Sequence, residues 1–153
     1  MRTLKISLFL NALIIAMIGI GVYSMARPTA VMASPSGSWS DGFGGYVNGS
    51  AWIVNNGIYR YAWADTTRTP SHAYNSTVTA EGWNTCGNQW HMISSLTRSK
   101  LYGSAQANVL AGSTQCPDSS NWIIKSVGKH AAQISNGTSQ TYYGATDMSV
   151  NLP

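Results

Sequence analysis

The sequence predicts an all-β fold, a small antiparallel β-sandwich that follows an N-terminal signal peptide. Short runs rich in β-branched and aromatic residues recur along the chain, and turn residues such as Asn-Gly separate them. Within the run at 101–110, Ala105, Ala107 and Val109 alternate with polar residues, which is the period of a strand with one face in water. No stretch after residue 33 shows helical periodicity at useful length. These features favour two packed antiparallel sheets.

The first 33 residues have the pattern of a secretory leader. Arg2 and Lys5 give a positively charged start, an apolar run follows at 6–22, and small residues stand at 24–26 and 31–33. We expect cleavage after the second of these sites, which places the mature protein outside the cell. A retained membrane anchor is the alternative, because the apolar run approaches the roughly 20 residues that span a bilayer. Contact with a membrane is therefore expected only through an uncleaved leader.

The remainder of the chain has the length of one domain. We divide the sequence into the leader (1–33), an extended mature N-terminus (34–45) and a β-sandwich domain (46–153). Asn-Asn-Gly at 55–57 and Asn-Gly at 136–137 predict tight turns. The predicted strands lie at 46–54, 58–63, 74–80, 89–97, 101–110, 122–127, 130–135 and 139–145.

The distribution of charge excludes one class of partner. The full chain has nine Lys and Arg residues against five Asp and Glu residues, a net charge of +4. Arg2, Lys5 and Arg27 lie in the leader, so the mature chain keeps six basic and five acidic residues, a net charge of +1. Nucleic-acid binding requires clustered positive charge that neutralises phosphates. We therefore expect no nucleic-acid partner.

The two cysteines, Cys86 and Cys116, are expected to form a disulfide, because export places them in an oxidising compartment. On the chain-entropy model such a bridge stabilises the fold by about 3–4 kcal/mol. A reactive thiol or a metal ligand is the alternative reading. Neither cysteine stands in a C-x-x-C motif, which favours the structural bridge.

The sequence carries no recognisable catalytic signature. His72, His91 and His130 are much farther apart than the three to five residues typical of zinc-binding pairs, and there is no G-x-S-x-G nucleophile motif. We expect no catalytic residue, no metal, no cofactor and no enzymatic activity. A small hydrolase is the alternative, which requires one of these histidines to meet a carboxylate or a serine in a cleft.

Aromatic residues are the one chemical group in excess. The chain has six Trp and eight Tyr residues, and all but one Tyr lie after residue 33. Tyr59, Tyr61 and Trp63 alternate with Ile58, Arg60 and Ala62, so these three rings share one face of a strand. The favoured interpretation is that this row faces the core. The alternative is an exposed platform for sugar rings or lipid head groups, since a continuous exposed apolar patch usually marks an interaction site.

Four patches of the mature sequence resemble the lactococcin 972 family of secreted bacteriocins. The matching segments are 37–44 (similar to the family's G-x-W-x-x-G-x-G opening), Tyr61 with 72–78 (its Tyr segment and following His-x-Ser-x-Val-like strand), 103–109 (its G-x-x-A-x-A strand) and Tyr142-Tyr143 (its closing double Tyr). The chain departs from the family in two respects. Its mature part is nearly twice the usual length, and it has two cysteines where members typically have none.

The resemblance implies a small secreted β-sandwich that binds the cell-wall precursor lipid II without catalysis. We therefore expect a bacteriocin-like protein of a Gram-positive bacterium whose partner is that precursor or another glycan of the bacterial envelope. An extracellular module that binds carbohydrate or a surface protein without killing is the alternative. The candidate binding residues are Trp39, Tyr59, Tyr61, Trp63, Tyr142 and Tyr143.

Overall fold

The computed structural model describes residues 29–30, 35–55, 59–86, 89–112 and 122–152. Within these ranges the regular structure consists of nine β-strands and no helix. The strands are β1 (Thr29–Ala30), β2 (Ser36–Ser40), β3 (Tyr46–Asn55), β4 (Arg60–Thr69), β5 (Asn75–Cys86), β6 (Gln89–Leu101), β7 (Ala105–Gly112), β8 (Trp122–Gln133) and β9 (Thr141–Leu152).

The strands form two antiparallel sheets that pack face to face. In the first sheet β1 and β2 both pair with β3, which is followed by β4 and β7. In the second sheet the order is β6, β5, β8, β9. The predicted all-β class and antiparallel sandwich are confirmed.

Most predicted strands are present, and the main difference concerns β8. The sequence predicts two strands, at 122–127 and 130–135, whereas the structure has one continuous strand across Gly128. A Cβ atom at Gly128 would lie 2.8 Å from the Cβ of Ala64 on the other sheet. This glycine is therefore required by close packing between the sheets and does not end the strand.

Nine of the sixteen buried apolar side chains in the described ranges are alanines, and the largest fully buried side chains are Ile53, Ile124 and His130. A Cβ atom at Gly82 of β5 would lie 2.2 Å from the carbonyl oxygen of Leu110 in β7, so the two backbones approach closely there. None of the described Phe, Tyr and Trp side chains is buried. The aromatic rings are therefore half-buried or exposed, and the half-buried Trp39 reaches in between the sheets against His130 and Gly144. The buried apolar side chains are Val47, Ala51, Ile53, Val54, Ala62, Ala64, Ala73, Val78, Ala80, Ala105, Ala107, Ala111, Ile124, Ala132, Met148 and Val150.

The start of the chain bears on the predicted domain limits. β2 lies in the segment 34–45, and it pairs with β3 from Ser36–Ser50 to Ser40–Tyr46 as part of the first sheet. β1 lies in the predicted leader, and the rest of residues 1–33 falls outside the described residues. In the described ranges there is no helix long and apolar enough to cross a membrane.

The predicted disulfide also falls outside the described part of the chain. Cys86 ends β5, but its side chain is not described, and Cys116 lies in the segment 113–121, which is not described either. The bridge therefore remains a prediction.

Candidate functional site

The aromatic row on β4 lies on the outer face of the first sheet, so the favoured core interpretation is wrong. The alternation itself is as predicted, but Ala62, Ala64 and Thr66 are the buried side chains of β4. Tyr61 and Trp63 are half-buried on the opposite face, and Tyr59, just before the strand, is 41% exposed. The narrow gap between the sheets accepts a methyl group at these positions and leaves no room for a ring.

Neighbouring strands extend this row into a larger surface. Trp52 of β3 lies directly opposite Trp63, and their rings stack with centroids 5.8 Å apart and planes at 19°. The rings of Tyr59 and Tyr61 are in contact at 6.5 Å. Leu110 of β7 lies opposite Tyr61 and is 37% exposed. We call these five residues, from three adjacent strands and the turn before β4, the aromatic face.

Polar side chains border the aromatic face on the same side of the sheet. Asn108 lies opposite Trp63, and Gln106 lies opposite Asp65. Ser50 donates a hydrogen bond of 2.5 Å to the Asp65 carboxylate. Rings with amide, hydroxyl and carboxylate groups beside them form the kind of surface that binds ligands with both apolar and hydroxylated faces.

The other three candidate residues lie away from this surface, so the structure divides the predicted set into two groups. The half-buried ring of Trp39 in β2 packs against the ring of His130 at 5.7 Å. Tyr143 packs against the core cluster of Val47, Ala73 and Ala132. Tyr142 is 59% exposed. Trp39 and Tyr143 therefore pack against buried residues, whereas the Tyr142 side chain is exposed to solvent.

A buried ion pair between Asp41 and Arg68 fixes the loop at 41–45, which the sequence analysis did not predict. Arg68 Nε donates to Asp41 Oδ2 at 2.5 Å, and Asp41 Oδ1 accepts from the backbone N–H groups of Phe43 at 2.7 Å and Gly45 at 2.9 Å. Burial opposes ionisation of Asp41, but these hydrogen bonds and Arg68 outweigh it and hold its pKa below the ordinary value.

The glycines around Asp41 were the available sequence signal for this loop. Gly42 and Gly44 have φ angles of 74° and 79°, a region that other residues rarely adopt. They allow the chain to turn sharply around the carboxylate. The loop presents Phe43 to solvent with 68% of its surface exposed.

A cleft of about 520 Å³ lies between this loop and the β8–β9 loop, and we call it the loop-end cleft. Its lining includes the exposed Phe43 from the 41–45 loop, Ile134 just after β8, and Tyr143 of β9. The remaining lining residues are Gly42, the hydroxyl-bearing Ser40, Thr138, Ser139 and Thr141, and Asp41, whose carboxylate is paired with Arg68.

The three histidines are dispersed. His72 is exposed in the β4–β5 connection, and His91 is exposed on β6. His130 of β8 is fully buried, and its ring nitrogens lie 2.8 Å from the hydroxyls of Thr66 and Thr146. Burial lowers the pKa of His130 to about 4. Among the described residues no group of three His, Cys, Asp or Glu side chains is placed to hold a metal ion.

A second pair of tryptophans lies on the outer face of the second sheet. The Lys125 ammonium lies 4.3 Å from the ring centroid of Trp90 and 5.6 Å from that of Trp83. Trp83 Nε1 donates to Glu81 at 3.1 Å, and Glu81 forms an ion pair with Lys129. These groups satisfy one another within the protein.

Comparison of the chain with protein-family models, with curated proteins and with solved structures finds no match. The similarity to the lactococcin 972 family therefore remains an expectation from the sequence.

Proposed function

We propose that this chain is an exported protein that binds a glycan-bearing component of the bacterial cell envelope through the aromatic face. Lipid II is the first candidate ligand, because the resemblance to the lactococcin 972 family implies it. Growth inhibition of competing bacteria then follows from binding alone. The proposal assigns no catalytic residue and no cofactor.

The observation that supports this proposal is where the rings lie. Alanines make up much of the buried core, and Tyr61 and Trp63 lie on the face of β4 opposite to its buried side chains. Trp52, Trp63, Tyr61 and Tyr59 instead form one continuous surface, with hydrogen-bonding groups along its border. Tyr59 is exposed and the other three rings are half-buried, and a continuous apolar patch at a protein surface usually marks an interaction site. Stacking of a sugar ring or a lipid head group on these rings is the interaction that we propose.

We predict that Tyr59→Ala weakens binding to lipid II vesicles by about tenfold or more, because it removes an exposed ring from the aromatic face. The matched control is Tyr46→Ala, which removes a tyrosine that is 55% exposed at the opposite end of the same sheet. We expect this control to bind within about twofold of the unmodified protein. Tryptophan fluorescence from Trp52 and Trp63 reports the titration.

The same titration separates the proposal from its alternatives. Binding together with growth inhibition that Tyr59→Ala reduces in parallel supports the bacteriocin-like function. Binding to isolated peptidoglycan without any growth inhibition supports the extracellular recognition module. Equal loss of binding in Tyr59→Ala and Tyr46→Ala, or no binding to either vesicles or peptidoglycan, contradicts a role for the aromatic face.

Export and a disulfide complete the proposal, and one intact-mass measurement addresses both. We predict that the protein recovered from the medium of an exporting host lacks residues 1–33 and resists alkylation at Cys86 and Cys116 until it is reduced. Reduction should lower the free energy of unfolding by about 3–4 kcal/mol, because the unfolded chain regains the entropy of an open loop. Two thiols that alkylate readily in the folded protein, or a mass that includes the leader, would contradict this part.

A further inference from the structure

We infer that the loop-end cleft is a second binding site, independent of the aromatic face, for a neutral pyranose sugar that stacks on Phe43. Its volume of about 520 Å³ lies within the range typical of sites for small molecules.

The wall that carries Phe43 is held in place without a ligand. The Phe43 backbone N–H donates to the buried Asp41 carboxylate, which Arg68 anchors to β4. Arg68 Nη1 in turn donates to the hydroxyl of Ser71 at 2.6 Å. An exposed ring on a fixed backbone loses little conformational entropy when a ligand packs against it.

The opposite wall is also fixed by hydrogen bonds of its own. Gln133 Nε2 donates to the carbonyl oxygen of Thr138 at 2.6 Å, and the Thr138 hydroxyl donates to the carbonyl oxygen of Ser135 at 2.8 Å. The carbonyl oxygen of Ile134 accepts from the N–H of Tyr74 at 3.4 Å. The cleft is therefore formed in advance, as ligand sites usually are.

The chemistry of the lining selects the class of ligand. Both carboxylate oxygens of Asp41 already have donors, and its charge is compensated by Arg68, so the cleft does not offer an open anion to a cationic ligand. Ser139, Thr141 and Tyr143 contribute hydroxyl groups. Thr141 hydrogen-bonds to the Tyr143 hydroxyl, and the hydroxyls of the lining can both donate and accept.

A pyranose matches this combination of one ring and several hydroxyls. Its C–H face carries partial positive charge and packs on the electron-rich face of an aromatic ring. Its hydroxyls both donate and accept, as the serine, threonine and tyrosine side chains do. A cationic or anionic sugar finds no unpaired charged partner among the lining residues, so it gains less from the cleft than a neutral sugar does.

The test titrates the exported protein with three sugars that differ in charge: N-acetylglucosamine (neutral), glucosamine (cationic) and glucuronate (anionic). Backbone amide NMR shifts locate the site, and a dissociation constant of about 1–10 mM is expected for a single sugar ring. We expect N-acetylglucosamine to shift the amides of Phe43, Ser139 and Thr141, and the two charged sugars to bind at least about tenfold more weakly.

The variants make the test specific to the cleft. Phe43→Ala should weaken N-acetylglucosamine binding by about tenfold or more, and Tyr143→Phe, which keeps the ring and removes the hydroxyl, by about threefold. Tyr102→Ala is the matched control, because Tyr102 is also 68% exposed at this end of the sandwich but does not line the cleft. It should bind as the unmodified protein does.

Several outcomes would overturn the inference. They are the absence of binding to any of the three sugars, shifts that lie on the aromatic face instead of the cleft, and equal effects of Phe43→Ala and Tyr102→Ala. The proposed function is judged separately, by lipid II vesicles and Tyr59→Ala. If no sugar binds in the cleft while vesicle binding is intact, only the cleft site is ruled out. If vesicle binding fails while N-acetylglucosamine binds in the cleft, only the role of the aromatic face is ruled out.

Discussion

Replacing Asp41 with Asn is expected to lower the free energy of unfolding by about 3 kcal/mol, because it leaves the Arg68 guanidinium buried without its counter-charge. Asp41 is fully buried and Arg68 is 8% exposed, so water cannot replace the lost partner. Asparagine keeps an oxygen for the N–H groups of Phe43 and Gly45, which isolates the effect of charge from that of the loop. Thermal or urea unfolding measures the change.

Two further variants test this explanation. Asp147→Asn removes a carboxylate that is exposed on β9, and we expect a change within about 0.5 kcal/mol. Adding Arg68→Met to Asp41→Asn removes the unpaired charge and should restore part of the lost stability. A double variant as unstable as the sum of its single variants would show that the buried charge is not the cause.

Acidification is expected to remove about 3 kcal/mol of stability through His130 alone. The buried imidazole has a pKa of about 4 in the folded protein, against 6.5 when it is unfolded. Between these values the unfolded chain binds more protons, so this contribution is complete above pH 6.5, falls steadily as the pH decreases, and is lost near pH 4. Asp65 attracts the protonated imidazole and limits the size of the effect.

The variant His130→Gln gives the direct control for this pH dependence. Glutamine can hydrogen-bond to the hydroxyls of Thr66 and Thr146, but it does not titrate. We expect the free energy of unfolding of this variant to change little between pH 6.5 and 4.5, whereas that of the unmodified protein falls steadily. Because the pKa of Asp41 is lowered, its contribution to stability is lost only at a lower pH than that of His130, and the two effects can be measured separately. A slope that persists in His130→Gln would assign the effect to another group.

The local parts of the fold could be predicted because their causes are local. Strand propensity, alternation and the Asn-Gly turn act over a few neighbouring residues. The hairpin of β8 and β9 has its turn at the predicted position, with Gly137 at a φ of 90°. Ala105 and Ala107 are buried, as their alternation indicated.

The site was harder to predict, because its parts come from distant segments. Trp52 lies in a predicted strand and Trp63 in the predicted aromatic row, but their stacking depends on the register of β3 and β4. Asp41 and Arg68 are 27 residues apart, and no spacing rule connects them. The loop-end cleft likewise needs both the β2–β3 and the β8–β9 loops at one end of the sandwich.

The sequence by itself determined that this chain forms antiparallel strands and which side chains on each strand share a face. It did not determine which of the two faces is buried, because alternation is the same for either choice. Only the second sheet decided that: Gly82 and Gly128 bring it so close to the first sheet that alanines fill the gap, and Tyr61 and Trp63 are left outside. The aromatic face is therefore a consequence of tertiary packing, acting on a row of rings that the sequence had already aligned.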